Sequence, residues 1–326
     1  MSMTFPAPAR PARARGVRRW AGAAAVVVAS SVALAGCSDD PTPVSDDTAT
    51  ATEDTQPDQS GSDSPSSESP ASSETPSGPA PSEPAASGTT VPVYFAGDGP
   101  GGRAMLFREF QRVEGEPLTE TARLVAGGQP VDPDYRTLWP GVEIASVRAT
   151  DGLLLVGIPG DGFTDRPDGM SRRDARLAVQ QLVRSRQGVQ QERVPVQVQR
   201  EGGAPLFGLP TDAPFEAAGT LRTLNHVNIT SPAEGDTVTG DTVTVTGVAN
   251  SFEASGPCRL LVDGQEVALE PYQTDGWLAD RLFPFEVQLS TEGVSGEVVV
   301  QCETDDPSGG AEGHGPAVDT KTITVQ

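Results

Sequence analysis

The sequence predicts an α+β protein in which a compact mixed α/β domain precedes an all-β sandwich, with both carried behind an export signal and a disordered polar linker. Three observations predict it. Residues 91–218 mix strand-like and helix-like periodicities, whereas residues 225–326 show only short alternating strands punctuated by turn residues. Between the N-terminus and these regions, residues 38–90 contain no Lys, Arg or aromatic side chain, so they offer nothing from which to build a core.

Residues 1–36 read as a signal peptide. Arg10, Arg13, Arg15, Arg18 and Arg19 precede an apolar run from Ala21 to Ala35, which is short for a membrane span and right for a secretory h-region. The run ends Leu34-Ala35-Gly36-Cys37, which resembles the lipobox of bacterial lipoproteins. That resemblance implies that Cys37 carries a diacylglyceryl thioether and becomes the first mature residue, so that the membrane is a partner through that lipid and the protein sits lipid-anchored on the extracytoplasmic face. Arg18-Arg19-Trp20 holds the arginine pair of a twin-arginine signal without the rest of it, which leaves the export route open.

Residues 37–90 form the lipidated linker. Eleven acidic residues among Ser, Pro, Thr, Ala and Gly repel one another and keep the segment extended and solvated. About 50 such residues reach about 40 Å as a flexible coil, enough to lift folded domains off a membrane. The whole chain carries a formal net charge of −22; an acidic surface repels phosphate backbones, so nucleic acid is not expected as a partner. Lys321 is the single lysine among 23 basic residues, a bias read as genome composition without mechanistic meaning.

Within 91–218, Val91–Phe95 and Ala104–Val113 alternate as strands, and Gly97–Gly102 lacks the order and the Lys-Ser/Thr ending of a phosphate loop, so it reads as the turn between them. Pro117–Val125 has helical spacing. Val142–Arg148 and Leu153–Ile158 read as a hairpin around Asp151-Gly152. The clearest helix spans Ser171–Gln187, where Ser171 caps and Asp174 answers three residues later, and Ala175, Ala178, Val179, Leu182 and Val183 share one face. Val194, Val196 and Val198 then alternate in a last half-buried strand.

Within 225–326 the strands are Val227–Thr230, Val243–Thr246, Arg259–Val262, Phe285–Leu289, Val298–Cys302 and Thr320–Val325, with a tight turn at Asp263-Gly264. About a hundred residues of this pattern suit an immunoglobulin-like sandwich. Strand parity puts Cys258 on the face of Leu260 and Val262, and Cys302 on the face of Val298 and Val300, so both point inward. In an exported compartment the two are expected to pair, at about 4 kcal/mol for a loop of about 45 residues; the alternative is two separate buried thiols.

Chemistry is harder to find. A thiol nucleophile at Cys258, with Glu253 nearby, needs a histidine base, and the chain offers only His226 and His314, both distant in sequence. Glu303, Asp305, Asp306, Glu312 and His314 match neither zinc spacing nor a calcium loop and read as solvated loop acids. No carboxylate pair is singled out for glycosidase work. The expectation is no catalytic residue, no metal and no cofactor.

Val91–Phe95, the helix near Leu118–Val125, Trp139-Pro140-Gly141 leading into Val142–Val147, Asp151–Val156 and the helix ending before Val194–Val198 together resemble the GerMN domain of sporulation and germination proteins and of many actinobacterial lipoproteins. Val227-Asn-Ile-Thr-Ser-Pro232, the stretch Val243–Ala254 and Pro284-Phe285 resemble the immunoglobulin-like domain of bacterial spore germination, most specifically at Gly247-x-Ala249-x-x-Phe252-Glu253-Ala254. The resemblance implies that Phe252 is a core residue and that Glu253 is structural, accepting backbone hydrogen bonds where a strand ends. Neither family carries a catalytic set to transfer, so the resemblance implies a non-enzymatic assembly module that binds an envelope protein or itself. A wall-carbohydrate or small-ligand module is the alternative, favoured if Trp139, Trp277 or Tyr272 were exposed on one face; an envelope hydrolase would need His226 or His314 beside a nucleophile.

Overall fold

A computed structural model describes residues 88–306, 308 and 313–326. The expected signal peptide, Cys37 with Leu34, Ala35 and Gly36, and residues 37–87 of the expected linker lie outside them. No described helix is long and apolar enough to cross a membrane.

The described chain opens with a long hairpin. Strands β1 (Thr89–Gly99) and β2 (Arg103–Val113) pair in unbroken antiparallel register from Thr89 opposite Val113 to Gly99 opposite Arg103. Pro100–Gly102 turns the chain, with Gly101 and Gly102 in the left-handed region that suits glycine. Helix α1 (Pro117–Gly127) follows; Pro117 stands at its first position and the Glu116 carboxylate accepts from the free amides of Leu118 and Thr119.

Strands β3 (Ser146–Thr150) and β4 (Leu153–Ile158) form the hairpin expected around Asp151-Gly152. Its first strand starts later than the sequence suggested. Val142 and Ile144 are buried, but Ser146 already faces Gly157 near the end of β4, and only the Ala145 amide, donating to the Gly157 carbonyl at 2.9 Å, extends the pairing before it. Helix α2 (Arg172–Gln190) carries the Ser171–Asp174 capping box and crosses over to β5 (Val196–Arg200), which runs parallel to β4. Ala175, Ala178, Val179, Leu182 and Val183 are buried against β1 and α1, so the periodicity that predicts the helix also builds its core face.

After a short turn, α3 (Thr220–Thr223), the C-terminal part is all β: β6 (Val227–Ser231), β7 (Thr237–Val238), β8 (Thr242–Ala249), β9 (Ser255–Val262), β10 (Gln265–Gln273), β11 (Phe283–Ser290), β12 (Gly296–Glu303) and β13 (Val318–Val325). A three-stranded sheet ordered β11-β8-β6 packs on a five-stranded sheet ordered β10-β9-β12-β13-β7. Alternation is strict where the sheets face each other: Phe283, Phe285, Val287 and Leu289 of β11 are buried, while Pro284, Glu286, Gln288 and Ser290 are exposed. Leu260, Val298, Val300 and Ile323 meet them from the other sheet. A small third cluster of Ala96, Leu106, Leu177 and Leu224 lies at the seam between the mixed region and the sandwich.

Candidate functional site

Two places combine chemistry with an unusual arrangement: the stretch Gly247–Ala254 and the seam. Gly247 lies in β8 between β6 and β11, and a Cβ there would come within 2.5 Å of the Phe285 ring and 2.6 Å of the Asn228 carbonyl. Only glycine fits that gap. Ala249 is fully buried, and the chain then leaves the sheet through a 3-10 turn, Phe252–Ala254, with Glu253 and Ala254 at φ 53° and 60°.

That turn overturns one expectation. Phe252 is 40% exposed rather than a core residue, because two successive left-handed residues swing the chain out before β9 begins. Its ring meets Trp277 edge-on at 5.0 Å between centroids, and the neighbouring Leu278 is 84% exposed. The anchoring role expected of Glu253 falls to Ser251 instead: Glu253 is exposed, while the buried Ser251 hydroxyl accepts from the Asp305 amide at 2.7 Å and donates to the Ser255 carbonyl. The result is a small aromatic and aliphatic patch on a pinned turn.

The seam is built around the single lysine. Along β13, Asp319, Lys321, Ile323 and Val325 all fall on the buried face, so the strand carries two charges into the space between sandwich and mixed region. Lys321 Nζ donates to Asp132 Oδ2 at 2.5 Å and to the Tyr135 hydroxyl at 2.6 Å, and lies 3.5 Å from Asp319 Oδ1. Tyr135 donates to Asp319 Oδ1 at 2.6 Å, and Asp319 Oδ2 accepts from the Ile229 amide at 2.6 Å and from Asn228 Nδ2 at 3.2 Å. Asp132 and Tyr135 come from the loop after α1. Glu109 on β2 accepts the amides of Val131 and Asp132, a backbone pair joins Arg136 to Ala96, and the Tyr135 ring stacks on Phe107 at 4.8 Å.

Electrostatics follow from burial and pairing. Burial alone would lower the Lys321 pKa, but Asp319 and Asp132 outweigh it and hold the ammonium above its ordinary value. Burial, with Asp319 and Asp132 adding to it, pushes the Tyr135 phenol well above its usual range. Burial also raises Asp319, against the opposing pull of Lys321 and of its hydrogen-bond donors. The lysine read as mere genome bias is thus the centre of the junction.

The remaining candidates sort clearly. Cys258 and Cys302 are both fully buried and joined by a disulfide between neighbouring strands β9 and β12, with Cα atoms 4.1 Å apart. His226 Nε2 lies 2.9 Å from the Leu221 carbonyl, and His314 packs against Gly101. Glu303 pairs with Arg259 at 3.0 Å; Glu312 lies outside the described residues. Of the aromatic platforms, Trp139 is buried and donates to the Ala178 carbonyl, Tyr272 is buried and donates to the Glu303 carbonyl, and Trp277 alone is partly accessible.

Residues 226–311 match the family described as the immunoglobulin-like domain of bacterial spore germination. The matched segment begins one residue before β6 and contains both the Phe252 turn and the disulfide. Among solved structures, the tandem GerMN domains of the sporulation protein GerM from Bacillus subtilis share 12% identity, over 56% of this chain and 60% of that one, with a TM-score of 0.31. A crystal structure of an engineered protein shares 19% identity, over 36% of this chain and 22% of that one, with a TM-score of 0.25. The chain thus spans at most 60% of these two structures, and likenesses this loose carry no argument about activity. No curated protein matches the chain.

Proposed function

We propose that this chain is an extracytoplasmic lipoprotein, anchored in the cell membrane through Cys37, whose linker presents a GerMN-like region and a germination-type immunoglobulin-like domain as a non-enzymatic module for protein contacts in the envelope. The observation that carries this reading is the patch of Phe252, Trp277 and Leu278 on the domain that matches the germination family. Clustered apolar side chains held on a pinned turn favour a protein partner, which would remove them from water at about 25 cal/mol per Å². Two features weigh against the other readings: Cys258 is committed to a disulfide, and two of the three candidate carbohydrate platforms are buried.

A photo-activated crosslinking residue at position 278, in the membrane-anchored protein in its native envelope, tests this. The expected result is one reproducible protein adduct, a partner or a second copy, that is lost in Phe252→Ser and in Cys37→Ala. Retention of wall glycan by the unmodified protein, with no protein adduct, would move the assignment to carbohydrate binding.

A further inference from the structure

The seam holds a second feature that the Lys321 network does not use. Beside that network lies a cavity of about 190 Å³ lined by four arginines: Arg108 from β2, Arg184 from α2, Arg193 from the loop before β5, and Arg281 just ahead of β11. No Asp or Glu lines it. Thr220, Asn225 and Asn228 supply its neutral polar wall. In a chain of formal net charge −22, such a concentration of one sign runs against the composition. None of the four arginines makes an ion pair among the described residues.

Three of them are held by contacts within the fold. Arg184 donates through Nη2 to the Ala218 carbonyl and, at 3.4 Å, to Thr223 Oγ1. Arg281 lies over the Phe283 ring at 4.2 Å and Arg108 over the Phe110 ring at 5.1 Å. The Nε atoms of Arg108 and Arg184 are buried without a protein partner. Burial and the like charge of Arg193 pull Arg184 below its ordinary pKa, and Tyr94 and Asp280 pull the other way. The Asp280 carboxylate is itself occupied in accepting from the Leu221 amide at 2.8 Å.

Asn225 stiffens the cavity wall from behind. Its Nδ2 donates to the carbonyls of Val227 and Val318 at 2.9 and 3.0 Å, which fixes the amide's orientation and leaves Oδ1 buried with no donor. Several guanidiniums around one small volume suit a compact oxyanion with acceptor oxygens on every side, as a phosphate group is, better than a planar carboxylate. The volume excludes a drug-sized ligand, whose pockets run about 300–1,000 Å³. We propose that this four-arginine cavity between the mixed region and the sandwich is a binding site for a phosphate group, either the free ion or a phosphate monoester.

Isothermal titration of the full-length protein in non-ionic detergent at low ionic strength tests it, with inorganic phosphate, glycerol 1-phosphate, sulfate and acetate as probes. Saturable one-site phosphate binding is expected, weakened about 10- to 100-fold in Arg184→Gln, the range that charge-assisted hydrogen bonds command. Because Arg184 also holds the Ala218 carbonyl, Arg281→Gln and Arg193→Gln at exposed positions serve as variants that keep the fold; each is expected to weaken binding while melting as wild type. Equal binding of glycerol 1-phosphate assigns the site to a monoester, and preference for phosphate assigns it to the free ion. No saturable binding, sulfate or acetate binding tighter than phosphate, or affinity unchanged in all three variants overturns the proposal.

Discussion

Replacing Lys321 with Met is the sharpest test of how the two parts are joined. The substitution keeps the length of the side chain and removes an ammonium that touches Asp132, Tyr135 and Asp319. Asp132 and Asp319 are only 1% and 3% exposed, so both carboxylates are left buried with their cationic partner gone. Breaking a buried pair in this one-sided way costs about 3–5 kcal/mol. For a folded portion of this size, each kcal/mol moves the midpoint about 2–4 °C, so calorimetry is expected to show a fall of about 6–20 °C. Because the lost contacts cross the seam, the wild type is expected to melt in a single transition that splits into two in the variant. A Lys321→Met protein that melts as one transition within about 1 °C of wild type would refute the reasoning.

Three further outcomes follow from the same geometry. Lys321 and Tyr135 both have folded pKa values raised above their ordinary ~10.4 and ~10. Their contribution is therefore fully present below about pH 10 and lost as pH rises through the folded values; urea midpoints are expected to fall steeply above pH 10, less so in Tyr135→Phe. Reducing the Cys258–Cys302 bridge, whose partners are 44 residues apart, is expected to lower stability by about 4 kcal/mol, read as a shift of the urea midpoint with added reductant. Two changes in one stretch should act in opposite directions: Gly247→Ala forces a methyl against Phe285 and the Asn228 carbonyl and costs about 1–3 kcal/mol, whereas Glu253→Gly relieves a side chain at φ 53° and gains up to about 1 kcal/mol. Thermal melts of the pair check both signs.

Much of the fold was readable because its signals are local. The capping box and apolar stripe of α2 lie within a few turns of each other, and the strands of the sandwich core announce themselves by alternation. Strand β10 did not, for a physical reason: it is an edge strand in which Tyr272 is the only buried residue, its pairing shifts between Glu266 and Ala268, and Pro271 interrupts its donors. Phe252 misled because the left-handed conformations of Glu253 and Ala254 carry no composition signal. The seam was hidden because Asp132 and Tyr135 meet Lys321 across 189 and 186 residues. Yet one clue was present. Strand parity places Asp319 and Lys321 on the same face as Ile323 and Val325, and a lysine on a core face needs a buried counter-charge from somewhere else in the chain.

The arrangement at the seam is better understood as fixing orientation than as adding stability. A buried ionic cluster recovers little beyond its own desolvation cost, and apolar side chains of similar volume often do as well or better. Apolar packing of Ala96, Leu106, Leu177 and Leu224 would by itself permit some slide, which the Asn225 amide, donating to the Leu106 carbonyl at 2.8 Å, and the Arg108 amide, donating to Asn228 Oδ1 at 3.0 Å, already restrict. Lys321 permits no such slide, since a displacement of a few ångströms strands two carboxylates and a phenol at once. The four-arginine cavity beside it depends on that register, because Arg108 and Arg184 come from one side of the seam and Arg281 from the other. A triple variant, Lys321→Met with Asp132→Leu and Asp319→Leu, separates the two roles. If the cluster sets orientation, this protein is expected to regain most of the lost melting temperature while its phosphate affinity stays reduced; recovery of both together would show that packing alone positions the arginines.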